Sequence, residues 1–195
     1  MKHPFFCETP PTGAMAACAR DICTAIPNLT TDRLVLRAPR VEDFPIYADI
    51  ACGPRGEGVG GPMPRDEAWW DFTQLASGWL LHGHGGWTIT LKDNDQAIGF
   101  VLIGCEPGDE NRELGYLIDA DFEGMGYAAE AALTVRDYGY DTLGIARLDS
   151  YIFPENTRSI ALAKRLGATQ VGELFYPGDS VASLVFRHPG PEDRL

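Results

Sequence analysis

The run Glu113-Leu-Gly-Tyr-Leu-Ile-Asp-Ala-Asp-Phe-Glu-Gly-Met-Gly-Tyr-Ala-Ala-Glu130 constrains this chain more than any other stretch. It reads as a strand, Arg112–Ile118, that leads through a glycine-rich turn into an alanine-rich helix from about Met125 to Tyr140. Gly124 and Gly126 stand between the two elements. Without Cβ atoms they let backbone N–H groups approach and converge on a ligand, and the helix adds the positive end of its dipole. Such a turn is a diphosphate site that needs no lysine. Without a ligand, the same glycines simply permit a tight connection.

Around this run the pattern alternates. Strands are predicted at Arg33–Arg37, Gly86–Leu91, Ala97–Gly104, Arg147–Phe153, Thr169–Phe175 and Val181–Arg187, the last two around a turn at Tyr176–Asp179. Helical spacing marks Val41–Ile50, Asp66–Leu81 and Asn156–Leu166, with a short helix around Ala14–Cys23. The glycine- and proline-rich stretch Gly53–Pro64 reads as a loop that is placed to cover an acceptor pocket. Strand–helix–strand order implies parallel pairing and the short links imply hairpins, so the expectation is an α/β fold with a mixed sheet of about six to seven strands flanked by helices. Residues 28–190 form the one domain; residues 1–27 are an extension without a clear period.

Charge removes several function classes. With 16 Lys+Arg against 28 Asp+Glu, the net charge of −12 argues against non-specific nucleic-acid binding and a polybasic membrane anchor. It mildly favours a cationic partner. No apolar run approaches the ~18–20 residues that span a bilayer. Five scattered cysteines without a CxxC pair point to a reducing, cytoplasmic setting, and none has a neighbouring His to make it a nucleophile. Gly56-Glu-Gly-Val-Gly-Gly61 satisfies GxGxxG formally, yet it follows a helical pattern and Pro62 and Pro64 block a helix, so a dinucleotide site fails its context. His82-Gly-His84 lacks a third ligand nearby, and no metal is expected.

A second informative run is Phe153-Pro-Glu-Asn-Thr-Arg-Ser-Ile-Ala-Leu-Ala-Lys-Arg-Leu-Gly167. Asn156 is a good N-cap and Gly167 a natural stop, while Asn156 and Ser159 lie one turn apart at a strand end where side chains can face a cleft. Taken in order, Leu29-Thr-Thr-Asp-Arg-Leu-Val-Leu-Arg37, Glu113–Asp119, Gly124-Met-Gly-Tyr-Ala128, Pro154–Ser159 and Ala163–Ala168 resemble the GCN5-related N-acetyltransferase (GNAT) family, in particular its ribosomal-protein N-acetyltransferase-like branch. The resemblance spans roughly Leu29 to Arg187.

The resemblance implies a single-domain GNAT-like fold in which two parallel strands splay to form the cleft for acetyl-CoA. The family's Gln/Arg-x-x-Gly-x-Gly/Ala loop falls on Glu123, Gly124, Met125, Gly126, Tyr127 and Ala128, with Glu123 in place of the usual Gln or Arg and expected to face solvent. It also implies that Leu117 and Ile118 meet the acetyl–pantetheine end, that Asn156 contacts the pantetheine arm, and that Ser159 lies near the thioester sulfur.

An amine attacks a thioester only as its free base, so near neutral pH a group must take its proton. Glu113 is the candidate base and Ser159 the candidate acid, with a backbone N–H of Leu117 or Ile118 for the oxyanion. The bland alternatives for Glu113 are a solvated strand carboxylate or a salt-bridge partner of Arg112 or a neighbour, and for Ser159 simple hydrogen bonding or helix capping. Tyr116 and Tyr127 read as packing residues. The resemblance implies an amine acceptor, a protein N-terminus or a small amine; the charge favours a cationic one, and a monomer or homodimer is expected. A non-catalytic acyl-CoA sensor on the same fold is the alternative function.

Overall fold

The computed structural model describes residues 5–59, 61–176, 178 and 180–193. Met1, Gly60, Pro177 and Asp179, which fall in the extension, the glycine-rich loop and the last turn, lie outside the described residues. In chain order the elements are α1 (Gly13–Cys23), β1 (Leu29–Thr30), β2 (Leu34–Arg37), α2 (Phe44–Ala51), α3 (Arg65–His82), β3 (Gly86–Leu91), β4 (Ala97–Gly104) and β5 (Arg112–Ile118). They continue with α4 (Tyr127–Asp141), β6 (Leu148–Ile152), α5 (Thr157–Arg165), β7 (Thr169–Leu174) and β8 (Ser183–Arg187).

The strands form one sheet of eight in the order β1-β2-β3-β4-β5-β6-β8-β7. The strand beyond the predicted six to seven is β1, whose two residues pair Leu29 with Leu36 and Thr30 with Val35. It is too short to leave a period in the sequence. All neighbours run antiparallel except β5 and β6, and that parallel pair holds only at Arg112–Leu148 and Glu113–Asp149. Beyond Glu113 the two strands part company, and β5 runs on to Ile118 without β6 beside it.

Alternation along the central strands sorts side chains to two cores. Val101 and Ile103 of β4 join Leu34, Leu36, Trp87 and Ile89 against Ala131, Ala132 and Val135 of α4. Phe100 and Leu117 point the other way, into Phe44, Tyr47, Phe72 and Leu75 of α2 and α3. Within the sheet, Arg37 Nη1 and Nη2 donate to Asp43 at 2.8 Å each, and Thr88 Oγ1 donates to the same carboxylate at 2.7 Å. All three side chains are buried, so this triad fastens β2 and β3 to the turn that starts α2.

One expectation changes. Pro54–Val59 forms a 3-10 helix where a plain loop was predicted. Gly56 N–H donates back to Gly53 O at 2.9 Å and Met63 N–H to Ala51 O at 3.1 Å. A Cβ at Gly56 would sit 2.1 Å from the Ala51 carbonyl oxygen, so these glycines let the segment lie flat on the end of α2. The N-terminal extension carries α1, which has no buried residue, and is fastened at Glu8. That carboxylate takes Nε and Nη2 of Arg65, both at 2.9 Å, and its side chain is 4% exposed.

Candidate active site

Where β5 and β6 diverge, two cavities open and meet. The smaller, of about 310 Å³, lies between the Phe122–Ala129 segment and α5; the larger, of about 700 Å³, lies between the end of β5 and α3. Gly58, Tyr116, Leu117, Asn156 and Ser159 line both. The divergence has a local fastening. Ser150 Oγ donates to the Leu114 carbonyl at 2.6 Å, just past the last paired residue, and therefore accepts from His188 Nε2–H at 2.9 Å.

The smaller cavity gathers most residues predicted for the donor: Leu117, Ile118, Glu123, Gly124, Gly126, Tyr127, Ala128, Asn156 and Ser159. Met125 is not part of its wall; its side chain is 51% exposed and its carbonyl accepts from Arg33 Nη1 at 2.9 Å. Gly124 and Gly126 have φ of +73° and +82°, a region in which a side chain is strained. Gly126 is the N-cap of α4, and no side chain caps that helix end. Its first-turn N–H groups, which have no acceptor within the helix, thus face a cavity. Those donors and the dipole behind them fit a diphosphate.

Arg33 braces this loop from outside. Its Nε donates to Glu130 at 2.7 Å and its guanidinium lies 4.5 Å from the centre of the Tyr127 ring. Nothing in the glycine motif announced that partner, which comes from the start of the second strand. Glu123 is exposed, yet it lines the smaller cavity, and its Oε2 lies 3.4 Å from Arg158 Nη1 on α5.

Asn156 does two jobs at once. Its Oδ1 accepts from Ser159 N–H at 3.1 Å, capping α5, and its Nδ2 donates to Gly58 O at 3.2 Å. Ser159 lies on the shared wall, and its carbonyl accepts from the Tyr116 hydroxyl at 3.2 Å. Burial raises the Tyr116 phenol above its ordinary value, with Glu113 adding to the effect, so it stays protonated.

Glu113 faces the larger cavity. It pairs across the sheet with Gly104. Burial pushes this carboxyl up to about 8; the nearby Glu106, Asp109 and Asp71 act in the same direction and a backbone hydrogen bond with Tyr151 opposes them. It does not pair with Arg112, whose Nε donates to His84 Nε2 at 3.0 Å. His84 Nδ1 is engaged with Ile103 O at 2.8 Å, so both of its ring nitrogens are taken.

The same cavity holds two carboxylates the sequence did not single out, Asp71 of α3 and Glu106 of the β4–β5 link. Burial raises both, opposed at Asp71 by the Tyr47 hydroxyl and reinforced at Glu106 by Asp71 and Asp109. Among the described residues, no Lys or Arg lines this cavity. Three acids, Asp71, Glu106 and Glu113 at the strand divergence, therefore share one cavity with Tyr47, Tyr116, Tyr151 and Tyr176 around them. No short motif joins residues 71, 106 and 113; the fold alone brings them together.

Residues 33–169 match the acetyltransferase (GNAT) domain, and the chain belongs to the GNAT acetyltransferase family. It is an N-acetyltransferase of that family. The uncharacterized N-acetyltransferase p20 of Bacillus licheniformis is 30% identical over 153 residues, which cover 75% of this chain and 85% of that protein. An acetyltransferase from Agrobacterium tumefaciens is similar in structure with a TM-score of 0.78 and 39% identity, covering 84% of this chain and 95% of that one. RimJ of Mycobacterium smegmatis, solved in complex with CoA-disulfide, shares the fold at a TM-score of 0.64 and 20% identity, covering 83% and 84% of the two chains.

Proposed function

We propose that this protein transfers the acetyl group of acetyl-CoA to a primary amine on a positively charged acceptor, by direct attack with both substrates bound. The observation that carries this reading is the placement of Glu113. Its carboxyl stands at the strand divergence, in an acid-lined cavity that joins the glycine-loop cleft through a shared wall.

The N–H groups at the start of α4 hold the diphosphate, and the backbone of Leu117 and Ile118, freed from β6, receives the pantetheine arm. Asn156 orients that arm from the shared wall. An ammonium entering the larger cavity meets Asp71, Glu106 and Glu113, whose mutual repulsion a cation relieves. Glu113, poised near 8, takes a proton from the amine directly or through water; an α-amino group has a pKa of ~8 and a lysine ~10.4. The free amine then attacks the thioester carbonyl, and a backbone N–H of Leu117 or Ile118 stabilises the oxyanion. Collapse expels the thiolate; the Ser159 hydroxyl at the shared wall passes it a proton and takes back the one that the new amide nitrogen sheds.

The test is CoA release from acetyl-CoA with three acceptor panels: small di- and polyamines, peptides with a free N-terminus and a further cationic side chain, and hydroxylated monoamines of similar size that carry no charge beyond the reacting amine. Turnover that favours cationic acceptors and falls in Asp71→Asn and Glu106→Gln supports the reading. Acetyl-CoA binding without turnover on any amine makes the protein an acyl-CoA sensor instead. No acetyl-CoA binding by the folded protein overturns the proposal outright.

A further inference from the structure

Glu123 and Arg158 reach toward each other from opposite walls of the donor cleft. Glu123 immediately precedes Gly124, and Arg158 is the second residue of α5. Both line the smaller cavity, and their charged atoms stand 3.4 Å apart with side-chain exposures of 36% and 60%. We infer that Arg158 is the side-chain partner of the donor's diphosphate, and that Glu123 holds its place as a stand-in anion until the donor arrives. This inference rests on the acetyl-CoA reading above.

The cations near the glycine loop are few. Arg33 is committed: Nε and Nη2 engage Glu130, Nη1 engages the Met125 carbonyl, and its face covers Tyr127. Among the described residues, Arg158 and Arg165 are the cationic side chains that line the cleft. They are seven residues apart on α5, which separates them by about 10 Å along the axis, too far for one diphosphate to take both. Arg158 is the one beside the loop. Backbone N–H groups and a helix end supply roughly half a positive charge, less than a diphosphate carries. In a chain of net charge −12, a carboxylate at the mouth of that site opposes the ligand unless a cation balances it.

The pair also explains how a Glu is tolerated at the head of the loop. In the free protein the two charges cancel across the cleft. When a diphosphate enters, Arg158 exchanges a carboxylate for phosphate oxygens, which a guanidinium binds with two parallel hydrogen bonds. Glu123 swings to the solvent it already touches. An exposed ion pair holds by about fivefold or less, so the exchange costs little. No covalent step is involved.

The two residues therefore act with opposite signs on donor affinity. Calorimetric titration of the whole protein with CoA, 3′-dephospho-CoA and pantetheine separates the contributions. Arg158→Ala should weaken CoA and 3′-dephospho-CoA alike, by about tenfold, and leave pantetheine unchanged. Arg158→Lys should recover part of the loss, and Glu123→Gln should tighten both phosphate-bearing ligands by about two- to fivefold. These differences should shrink in about 0.5 M salt. The inference is overturned if Arg158→Ala binds all three ligands as the wild type does, or if Glu123→Gln weakens them. A loss confined to CoA would move Arg158 to the ribose phosphate and overturn the diphosphate assignment. If the wild type binds none of the three, the acetyl-CoA reading itself falls, an outcome distinct from any change in the variants.

Discussion

Asn156 ties the start of α5 to a segment 98 residues earlier, its Nδ2 donating to the Gly58 carbonyl at 3.2 Å while its Oδ1 caps the Ser159 N–H. Gly58 has to be a glycine for this, since a Cβ there would lie 2.6 Å from Nδ2. The two bonds are separable. Asn156→Asp keeps the cap and removes the donor to Gly58, so amide exchange at Gly56, Gly61 and Met63 should accelerate at nearly unchanged stability. Asn156→Ala should do the same and also cost about 1 kcal/mol through the lost cap. Identical exchange in wild type and Asn156→Asp would mean that the bond does not hold the segment.

Glu113 sets a pH dependence with a definite sign. Its folded pKa of about 8 is above its ordinary value of 4.5, so the folded state holds this proton more tightly than the unfolded chain. Its contribution to stability is complete below about 4.5 and is lost as the pH rises through about 8. Glu113→Gln should therefore raise the melting temperature at pH 8–9 relative to wild type, with the difference closing toward pH 4. The same ionisation should give kcat/KM a rising limb near 8. Glu113→Gln should abolish that limb and lower the rate by about 10²–10⁴. A variant that keeps the wild-type limb would assign the proton transfer to another group.

The buried triad of Arg37, Asp43 and Thr88 is a stability element away from both cavities. Removing the acid leaves the buried guanidinium with only the exposed Asp95, 3.8 Å from its Nε, to balance it. Asp43→Ala should cost about 3–5 kcal/mol in chemical denaturation, against under about 1.5 kcal/mol for Thr88→Val, which removes one donor and preserves shape. Similar losses from the two would argue that the charge is balanced elsewhere.

His188 gives the opposite pH signature from Glu113. Burial pushes it down to about 4, and Arg136 reinforces the effect, while Asp149 opposes it. Its Nε2–H is spent on Ser150, and its buried Nδ1 has no hydrogen-bond partner among the described residues. A depressed pKa means stability that is present above about 6.5 and lost as the pH falls through about 4. The urea midpoint should drop over that window in the wild type and drop less in His188→Asn. Ser150→Ala should lower overall stability by about 1–3 kcal/mol, because it leaves the Leu114 carbonyl unpaired. A wild-type midpoint flat from pH 6.5 to 4 would contradict this account.

Local chemistry made much of the fold legible. The strand–glycine–helix run is found where it was predicted, as β5, Gly124–Gly126 and α4, because each part carries its own period or its own backbone requirement. Asn156 signalled a helix start and caps one. What escaped was non-local or too short to have a period. The two residues of β1 exist because β2 offers an edge, and the Pro54–Val59 helix exists because α2 ends in a carbonyl that glycines can approach. Asp71 and Glu106 looked like ordinary solvated acids, one on a helix and one in a link. Only the crossing of α3 over the sheet turns them toward Glu113. Arg33 and Arg158 fall within a predicted strand and a predicted helix with no role marked, since their partners lie 97 and 35 residues away.

The shared wall of the two cavities has an evolutionary consequence. The acids Asp71 and Glu106 come from α3 and the β4–β5 link, and neither lines the cleft built by the glycine loop and α5. The chain thus writes its two pockets in separate paragraphs. Substitutions in the first can retune which molecule is welcomed there, while the second goes on reading the same partner, and lineages that share this architecture are free to diversify on one side alone.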